Sequence, residues 1–337
     1  MRLAAILLPL LAILSPLRAE EPQRFEFEEP HMGTKFRLVF YAPSKETAEK
    51  AAKAAFARVA QLNQIMSDYS PTSELMELCK KSDQKPGGPI QVSDDLFYIL
   101  QKAQEVSQLS EGAFDVTISP IVRLWRQARK DHRLPDPDVL QEAMKRVGYK
   151  NLLLDPKAKT ADLRVPGMLL DLGGIAKGYA ADEGLKVLEK HSIKSALVAA
   201  SGDIAVSEAP PGKPGWRIDI APLPRSKERR QLLLTHAAIS TSGDSQQFVE
   251  INGTRYSHVV DPKTGLGLTG RRSVTVVARH GIQADSMTKM ASILDAKKAV
   301  AAIEQIKGAA TYIVVQKEGG EGEEIYESKD FAKLVVK

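Results

Sequence analysis

Asp171 to Asp182 read Asp-Leu-Gly-Gly-Ile-Ala-Lys-Gly-Tyr-Ala-Ala-Asp, placing a carboxylate, a glycine pair and a lysine side by side. Glycines between a strand and a helix let the backbone approach a ligand closely, and N–H groups at a helix start attract anions. The stretch matches neither the dinucleotide fingerprint nor the Walker pattern. Taken alone, it reads equally as a tight turn with no ligand. Ser257 to Gly265 (Ser-His-Val-Val-Asp-Pro-Lys-Thr-Gly) delivers His258 beside a turn. There it is either a general base near neutral pH or a structural histidine that satisfies turn carbonyls. Ala284 to Lys289 predicts a helix start, where Asp285 either complements the macrodipole or binds a hard cation such as Mg²⁺. Gly112 to Pro120 sets Phe114, Asp115 and Thr117 just past a helix end, as the lining of a flat-ring pocket or as a connector. Ser240 to Asp244 is a hydroxyl-rich turn whose groups bond to a ligand or to themselves.

These residues need elements to hold them. Phe36, Leu38 and Phe40 alternate with polar neighbours over Lys35 to Tyr41, which predicts a half-buried strand. An alanine-rich helix is predicted from Ser44 to about Ile65, with Ala52, Phe56, Val59 and Leu62 on one stripe. Ser93 caps a second helix that ends near Gly112, and Asp136-Pro137 starts a third that runs to about Val147. Strands then dominate: Asn151–Asp155, Ala161–Val165 and the apolar run Met168–Leu170, which leads into the glycine-pair helix with Ala180, Leu185 and Leu188 inward. More strands follow at Ala196–Ala200, Trp216–Ala221, Gln231–His236, Gln247–Ile251, Arg255–Val260, Ser273–Ala278 and Thr311–Gln316. Asn252-Gly253 closes a hairpin of the I′ kind, and Ala284–Ile306 is a helical hairpin or broken helix. Strands and helices out of strict alternation argue α+β.

A chain of 337 residues with 43% hydrophobic and 26% charged residues can bury a sizeable core. Arg2 precedes the apolar run Leu3 to Leu14, and Ala19 stands where a signal peptidase would cut, so residues 1–19 read as a secretory signal peptide. The alternative is a buried N-terminal helix. Removing them takes away Arg2 and Arg18 and lowers the formal charge from +5 to +3, a mild surplus that gives no reason to propose nucleic acid. Residues 20–30 read as an acidic, unstructured lead-in, and no later segment reads as a membrane span. The single cysteine, Cys79, excludes an internal disulfide and a thiol-clustered zinc site.

Seven segments in order resemble the ApbE family of flavin transferases over about residues 30–316: Met32-Gly33-Thr34, Met66 to Leu75, Gly112 to Thr117, Asp171 to Gly178, Thr241 to Asp244, His258 to Gly265 and Ala284-Asp285. The resemblance implies an α+β, T-fold-like domain over residues 31–337, with mixed sheets and flanking helices behind the cleavable signal peptide. It implies FAD as donor with Mg²⁺, and an acceptor protein whose threonine or serine hydroxyl receives FMN through a phosphoester while AMP leaves. The acceptor would be an exported or membrane redox protein, and the chain itself periplasmic or otherwise extracytoplasmic. Position by position, Met32 and Tyr69 match residues that pack on the flavin nucleotide. Ala113, Phe114 and Asp115 match a FAD-contacting triplet, Asp171 a FAD-binding carboxylate, Lys177 a nucleotide contact and Val260 an apolar contact. His258 matches a catalytic histidine. Gly174 matches a backbone ligand to magnesium, and Asp285 the magnesium carboxylate.

Two departures stand out. Where the family has a metal-binding threonine four residues after the aspartate, this chain has Lys289, and Thr288 lies one place earlier. Those two side chains point about 100° apart on a helix, so Thr288 takes over as a ligand only if the backbone shifts. A lysine ammonium beside Asp285 either occupies the cation's place or weakens metal binding. Ala199-Ala200-Ser201-Gly202-Asp203 likewise replaces the family's Asn-x-Gly-Gly-Asp. Two other readings therefore stand beside the transferase: a FAD pyrophosphatase that uses water as acceptor, and a non-catalytic FAD-binding protein with a decayed metal site.

Overall fold

The computed structural model describes residues 21–85, 87–220, 223, 230–243, 248–317 and 322–336; the expected signal peptide and Asp244 lie outside them. The chain opens with a hairpin, β1 (Gln23–His31) and β2 (Thr34–Ala42), turned by Met32 and Gly33 at φ 49° and 70°. The lead-in expected over 20–30 is thus mostly strand. Its alternation of Phe25 and Phe27 is masked in sequence by glutamates, two of which pair across the hairpin as Glu26–Arg37 and Glu28–Lys35.

Ser44 then caps α1 (Lys45–Met66) by accepting from the Thr47 N–H at 3.2 Å, and the alanine stripe turns inward as expected. Next come α2 (Glu74–Gln84), β3 (Ile90–Gln91), α3 (Asp94–Leu109, capped by Ser93), α4 (Ser119–Asp131) and α5 (Pro137–Met144, capped by Asp136). Strands β4 (Leu152–Asp155) and β5 (Thr160–Leu163) precede α6 (Ala176–Lys190). Met168–Leu170 forms no named strand; Leu169 makes one isolated parallel bridge to Ile118.

The second half supplies β6 (Ala196–Ala200), β7 (Asp203–Val206), β8 (Trp216–Ile220), β9 (Arg230–Leu234) and β10 (Ala237–Gly243). After these come β11 (Phe248–Ile251), β12 (Thr254–Ser257) and β13 (Arg272–Ala278). Helices α7 (Gly281–Ile293) and α8 (Ala296–Glu304) and strands β14 (Ala310–Gln316) and β15 (Glu323–Glu327) complete it. Ser240 to Gly243, expected as a turn, lie inside β10. Asn252 and Gly253 do form the hairpin turn, at φ 52° and 75°.

Eight strands form the main sheet in the order β1-β2-β6-β7-β10-β13-β14-β15, each neighbour antiparallel. Helices pack on one face, where Phe36, Leu38, Phe40, Val274 and Val276 meet α1, α6 and α7. The hairpin β8–β9 covers the other, where Val39, Val277, Tyr312 and Val314 meet Trp216, Ile218 and Leu232. Burial on both faces explains why central strands read as continuous apolar runs, not alternating ones. Each fully buried side chain of this kind contributes about 1.5–3 kcal/mol of transfer free energy. A third cluster joins Trp125 of α4 and Leu140 of α5 to Val249, Ile251 and Val260.

Candidate functional site

Helices α6 and α7 cross with their backbones in contact. A Cβ on Gly178 would stand 2.1 Å from the Gly281 carbonyl oxygen, and one on Gly281 would stand 2.4 Å from that of Gly178. Only glycine permits this approach. Neither helix has a side-chain cap of its own. Each instead receives an aspartate from the other. Asp182, the seventh residue of α6, accepts from the Gly281 and Ile282 N–H groups at 2.6 and 3.0 Å. Asp285, one turn into α7, accepts from the Gly178 N–H at 3.1 Å through Oδ2. Asp285 therefore does not sit in the first turn of its own helix, as expected from sequence; it complements the N-terminus of α6. The exchange is unequal. Asp182 uses both oxygens, whereas Asp285 Oδ1 is buried with no hydrogen-bond partner among the described residues.

Charges gather around that oxygen. Lys177 Nζ lies 3.6 Å from Asp285 Oδ2 and 3.1 Å from Asp203 Oδ2, and donates to the Gly173 carbonyl at 3.1 Å. Lys289 Nζ lies 3.8 Å from Asp285 Oδ1 and donates to Ser242 Oγ of β10 at 3.2 Å. Ser240 Oγ donates to Asp203 Oδ1 at 2.5 Å. Two carboxylates thus face two ammonium groups. Burial lifts Asp285 above the usual carboxylate range and Asp203 adds to it, against Lys177, Lys289 and the Gly178 N–H. Burial works against the Lys177 ammonium, but Asp285 and Asp203 more than reverse it and hold its pKa above the usual lysine range. Lys289 goes the other way: burial lowers it, and Asp285 only partly compensates.

Gly174 belongs to the same place. A Cβ there would meet Lys289 Cγ at 3.0 Å and Phe114 Cε2 at 3.4 Å, so the lysine stem and the phenyl ring close over the glycine turn. Thr288 is fully buried and donates to its own helix at the Asp285 carbonyl, 2.7 Å away.

A second cluster adjoins through Asp171, whose Oδ1 accepts from the Gly173 N–H at 2.7 Å. Arg126 of α4 bridges Asp171 at 3.2 Å and Asp68 at 2.6 Å, and its guanidinium lies 4.2 Å from the ring centre of Tyr69, a tyrosine 76% exposed. Burial first and Asp68 second lift Asp171 above the usual carboxylate range, against the Gly173 N–H, Arg126 and Lys177.

Other expected residues are placed differently. Asp115 accepts from Thr117 through Oδ1 and from the Tyr149 N–H through Oδ2, so both of its oxygens tie down the loop that carries Ala113 and Phe114. Val260 is buried in the third core cluster, and His258 is half-buried in the turn after β12. That turn is pinned to α4, where Trp125 donates to the Gly265 carbonyl at 2.7 Å. Met32 occupies the β1–β2 turn and packs against the main core. The structure thus brings Phe114, Asp171, Gly174, Lys177, Asp285 and Thr288 together, with Tyr69 beside them. Sequence reasoning assigned no role to Asp68, Asp182, Arg126 or Asp203, and read Ser242 only as one hydroxyl of a turn. For Asp182 a signal was available: Gly178-x-x-x-Asp182 and Gly281-x-x-x-Asp285 have the same spacing. A cavity of about 580 Å³ beside α3, lined by Phe97, Gln104 and Leu152 among others, includes none of these residues.

Comparison with known proteins bears on this arrangement. The profile of the ApbE family matches residues 32–313. The FAD:protein FMN transferase of Haemophilus influenzae is 30% identical over 300 residues, 86% of each chain. Among solved structures, the flavin transferase ApbE from Vibrio cholerae superposes with a TM-score of 0.81 at 26% identity, over 93% of this chain and 99% of that one. The ApbE protein from Thermotoga maritima also gives 0.81, at 29% identity over 94% and 100%.

Proposed function

The chain belongs to the ApbE family, and on that premise we propose that it acts as a FAD:protein FMN transferase. The acceptor is a threonine or serine hydroxyl of another protein. Its oxygen forms a bond to the FMN phosphorus while the bridging P–O bond to AMP breaks. The electron pair of that bond leaves with AMP, and the hydroxyl proton passes to a base. What supports this reading most directly is the packing of Lys177, Lys289, Asp285 and Asp203 against the Gly173-Gly174 turn at the start of α6. A pyrophosphate needs charge neutralisation and close backbone approach at the same point.

Each side chain then has a task. Lys177, held charged by its two carboxylates, meets the phosphate oxygens. Tyr69, braced from behind by Arg126, offers an exposed ring for the planar parts of FAD, with Met32, Ala113, Phe114 and Val260 as apolar contacts. Asp171 binds polar groups of FAD at the mouth of the glycine turn. Asp115 acts by holding its loop. His258 takes the acceptor proton, a task suited to a half-buried imidazole. The leader-like residues 1–19 support export, and among the described residues no helix is long and apolar enough to cross a membrane.

Magnesium, implied by the resemblance with Gly174 and Asp285 as ligands and Thr288 as a third only if the backbone shifts, does not fit this donor set. Mg²⁺ requires near-octahedral oxygen ligands at about 2.0–2.1 Å. Here the Thr288 hydroxyl oxygen accepts from Lys289 Nζ at 3.5 Å, and the stem of that lysine lies over Gly174. The two carboxylates are already matched by two ammonium groups.

The test is incubation with FAD and an acceptor carrying a threonine flavinylation motif, followed by mass spectrometry. FMN on the acceptor with stoichiometric AMP is the expected result. AMP with an unmodified acceptor would mark a pyrophosphatase, and intact bound FAD throughout would mark a binding protein.

A further inference from the structure

We propose that the Lys289 ammonium stands in for a divalent cation on Asp285, so that the FAD pyrophosphate is held by the N–H donors of Lys177 and Lys289 and the chain works without Mg²⁺. The proposal rests on the transferase reading above and specifies how its phosphate site is charged.

Three observations converge on it. Among the described residues Asp285 Oδ1 is buried without a hydrogen-bond partner, and the cationic group facing it is Lys289 Nζ at 3.8 Å. The Lys289 stem passes over Gly174, its Cγ lying 3.0 Å from where a Cβ would be, so the side chain fills the space between Asp285 and the glycine turn. Its Nζ is anchored on β10 by Ser242 Oγ at 3.2 Å, and the side chain keeps 19% of its surface exposed.

Among the described residues the charges already balance before FAD binds. Asp203 and Asp285 offset Lys177 and Lys289. A divalent ion bound there before FAD would leave two uncompensated positive charges in a buried site, whereas two ammonium groups already stand where they can donate to pyrophosphate oxygens. An ammonium is a compact charge with three donors, suited to phosphate oxygens. In the transfer step the two lysines donate hydrogen bonds to non-bridging oxygens and pass on no proton. The bonds made and broken are those given above, and no further reactant is needed.

The test begins with the unaltered protein. FAD affinity is measured by flavin fluorescence, and FMN transfer by mass spectrometry, each in EDTA and again with Mg²⁺. Mn²⁺ binding is followed by electron paramagnetic resonance with and without FAD. Equal affinity and equal transfer in EDTA and Mg²⁺, with no stoichiometric Mn²⁺ bound, is the expected result. Loss of either property in EDTA with recovery in Mg²⁺, or one Mn²⁺ held per chain, overturns the proposal.

Lys289→Thr, checked for folding by circular dichroism, should lose about tenfold to hundredfold in FAD affinity in EDTA, the scale of one charge-assisted hydrogen bond. It should regain affinity with Mg²⁺ and hold Mn²⁺. Unchanged affinity in EDTA would mean that Lys289 does not meet the ligand. If FAD binds but is turned over in neither condition, the transferase reading fails, while the affinity and Mn²⁺ measurements still decide the role of Lys289.

Discussion

Arg126 keeps two carboxylates, Asp68 and Asp171, from facing each other unpaired, and stacks on Tyr69 while doing so. Replacing it with methionine preserves much of the packing and removes the charge. Arg126→Met should cost about 3 kcal/mol at pH 7, the scale for removing one partner from a buried ion pair. The pH dependence has a definite sign. Asp171 already lies above the ordinary carboxylate range through burial and then Asp68, so its stabilising contribution is present below about pH 4 and is lost as pH rises through its raised value. Without Arg126 the rise is larger. Urea midpoints should therefore show a gap between wild type and variant that narrows from pH 7 toward pH 4; a constant gap would mean packing alone is at stake. His258 is tested by separating two constants. His258→Ala should slow transfer by about 10²–10⁴-fold, the range for a lost general base, while FAD affinity stays near wild type. Equal losses in both would make the histidine structural. Asp171, Lys177 and Asp285 were legible in sequence because glycines, a lysine and helix starts accompany them. Arg126, Asp68 and Asp203 were not, since their partners come together only through the fold.

At the scale of elements, the site depends on one helix crossing. Alanine at Gly178 or Gly281 would drive a methyl group into the opposing backbone, which has no flexible side chain to yield. Gly178→Ala should cost about 3 kcal/mol, the upper end of the overpacking range, and should also reduce FAD affinity by moving Lys177 away from Asp285. Gly184→Ala is the control. Its new Cβ would meet only Val198 methyl groups at 3.4 Å, so the higher helix propensity of alanine should leave stability equal or improved. Thermal unfolding of the three variants checks this, and an undisturbed Gly178→Ala would show that the crossing can spread. The crossing itself was not legible, because two Gly-x-x-x-Asp spacings about 100 residues apart in the chain do not announce that each caps the other. Capped helices such as α1, α3 and α5 were read correctly from Ser44, Ser93 and Asp136. Helices α2 and α4 were missed; α4 has no side-chain cap, and its first two residues, Ser119 and Pro120, fall in the stretch read as a connector. Strand β1 was misread because charged residues alternate with Phe25 and Phe27, and β10 because its hydroxyls look like turn residues until β7 and β13 pair with it on both sides.

For the whole molecule, stability must come from packing on the two faces of the main sheet, since a single cysteine allows no internal disulfide. Cys79 reports on that packing. It is 1% exposed in the main core, and burial, opposed chiefly by the Leu170 backbone, pushes its thiol up to about 11 from 9.0. A raised value means that the contribution of the buried neutral thiol is complete below pH 9 and is lost as pH rises toward 11. Near neutral pH the thiol is therefore both shielded and un-ionised, and alkylation must wait for an opening that separates α2 from the segment leading into Asp171. Since that segment enters the glycine turn, FAD bound there should suppress the opening. Iodoacetamide labelling of the folded chain at pH 8 should be far slower than in urea. Where labelling follows the equilibrium population of the open form, FAD at 100 times its dissociation constant should slow it by about another hundredfold. Labelling that ignores FAD would place the opening at α2 alone, independent of the binding site. A hundredfold effect would show that the core beneath Asp171 and the turn above it open together, so that occupying the site steadies the fold that builds it.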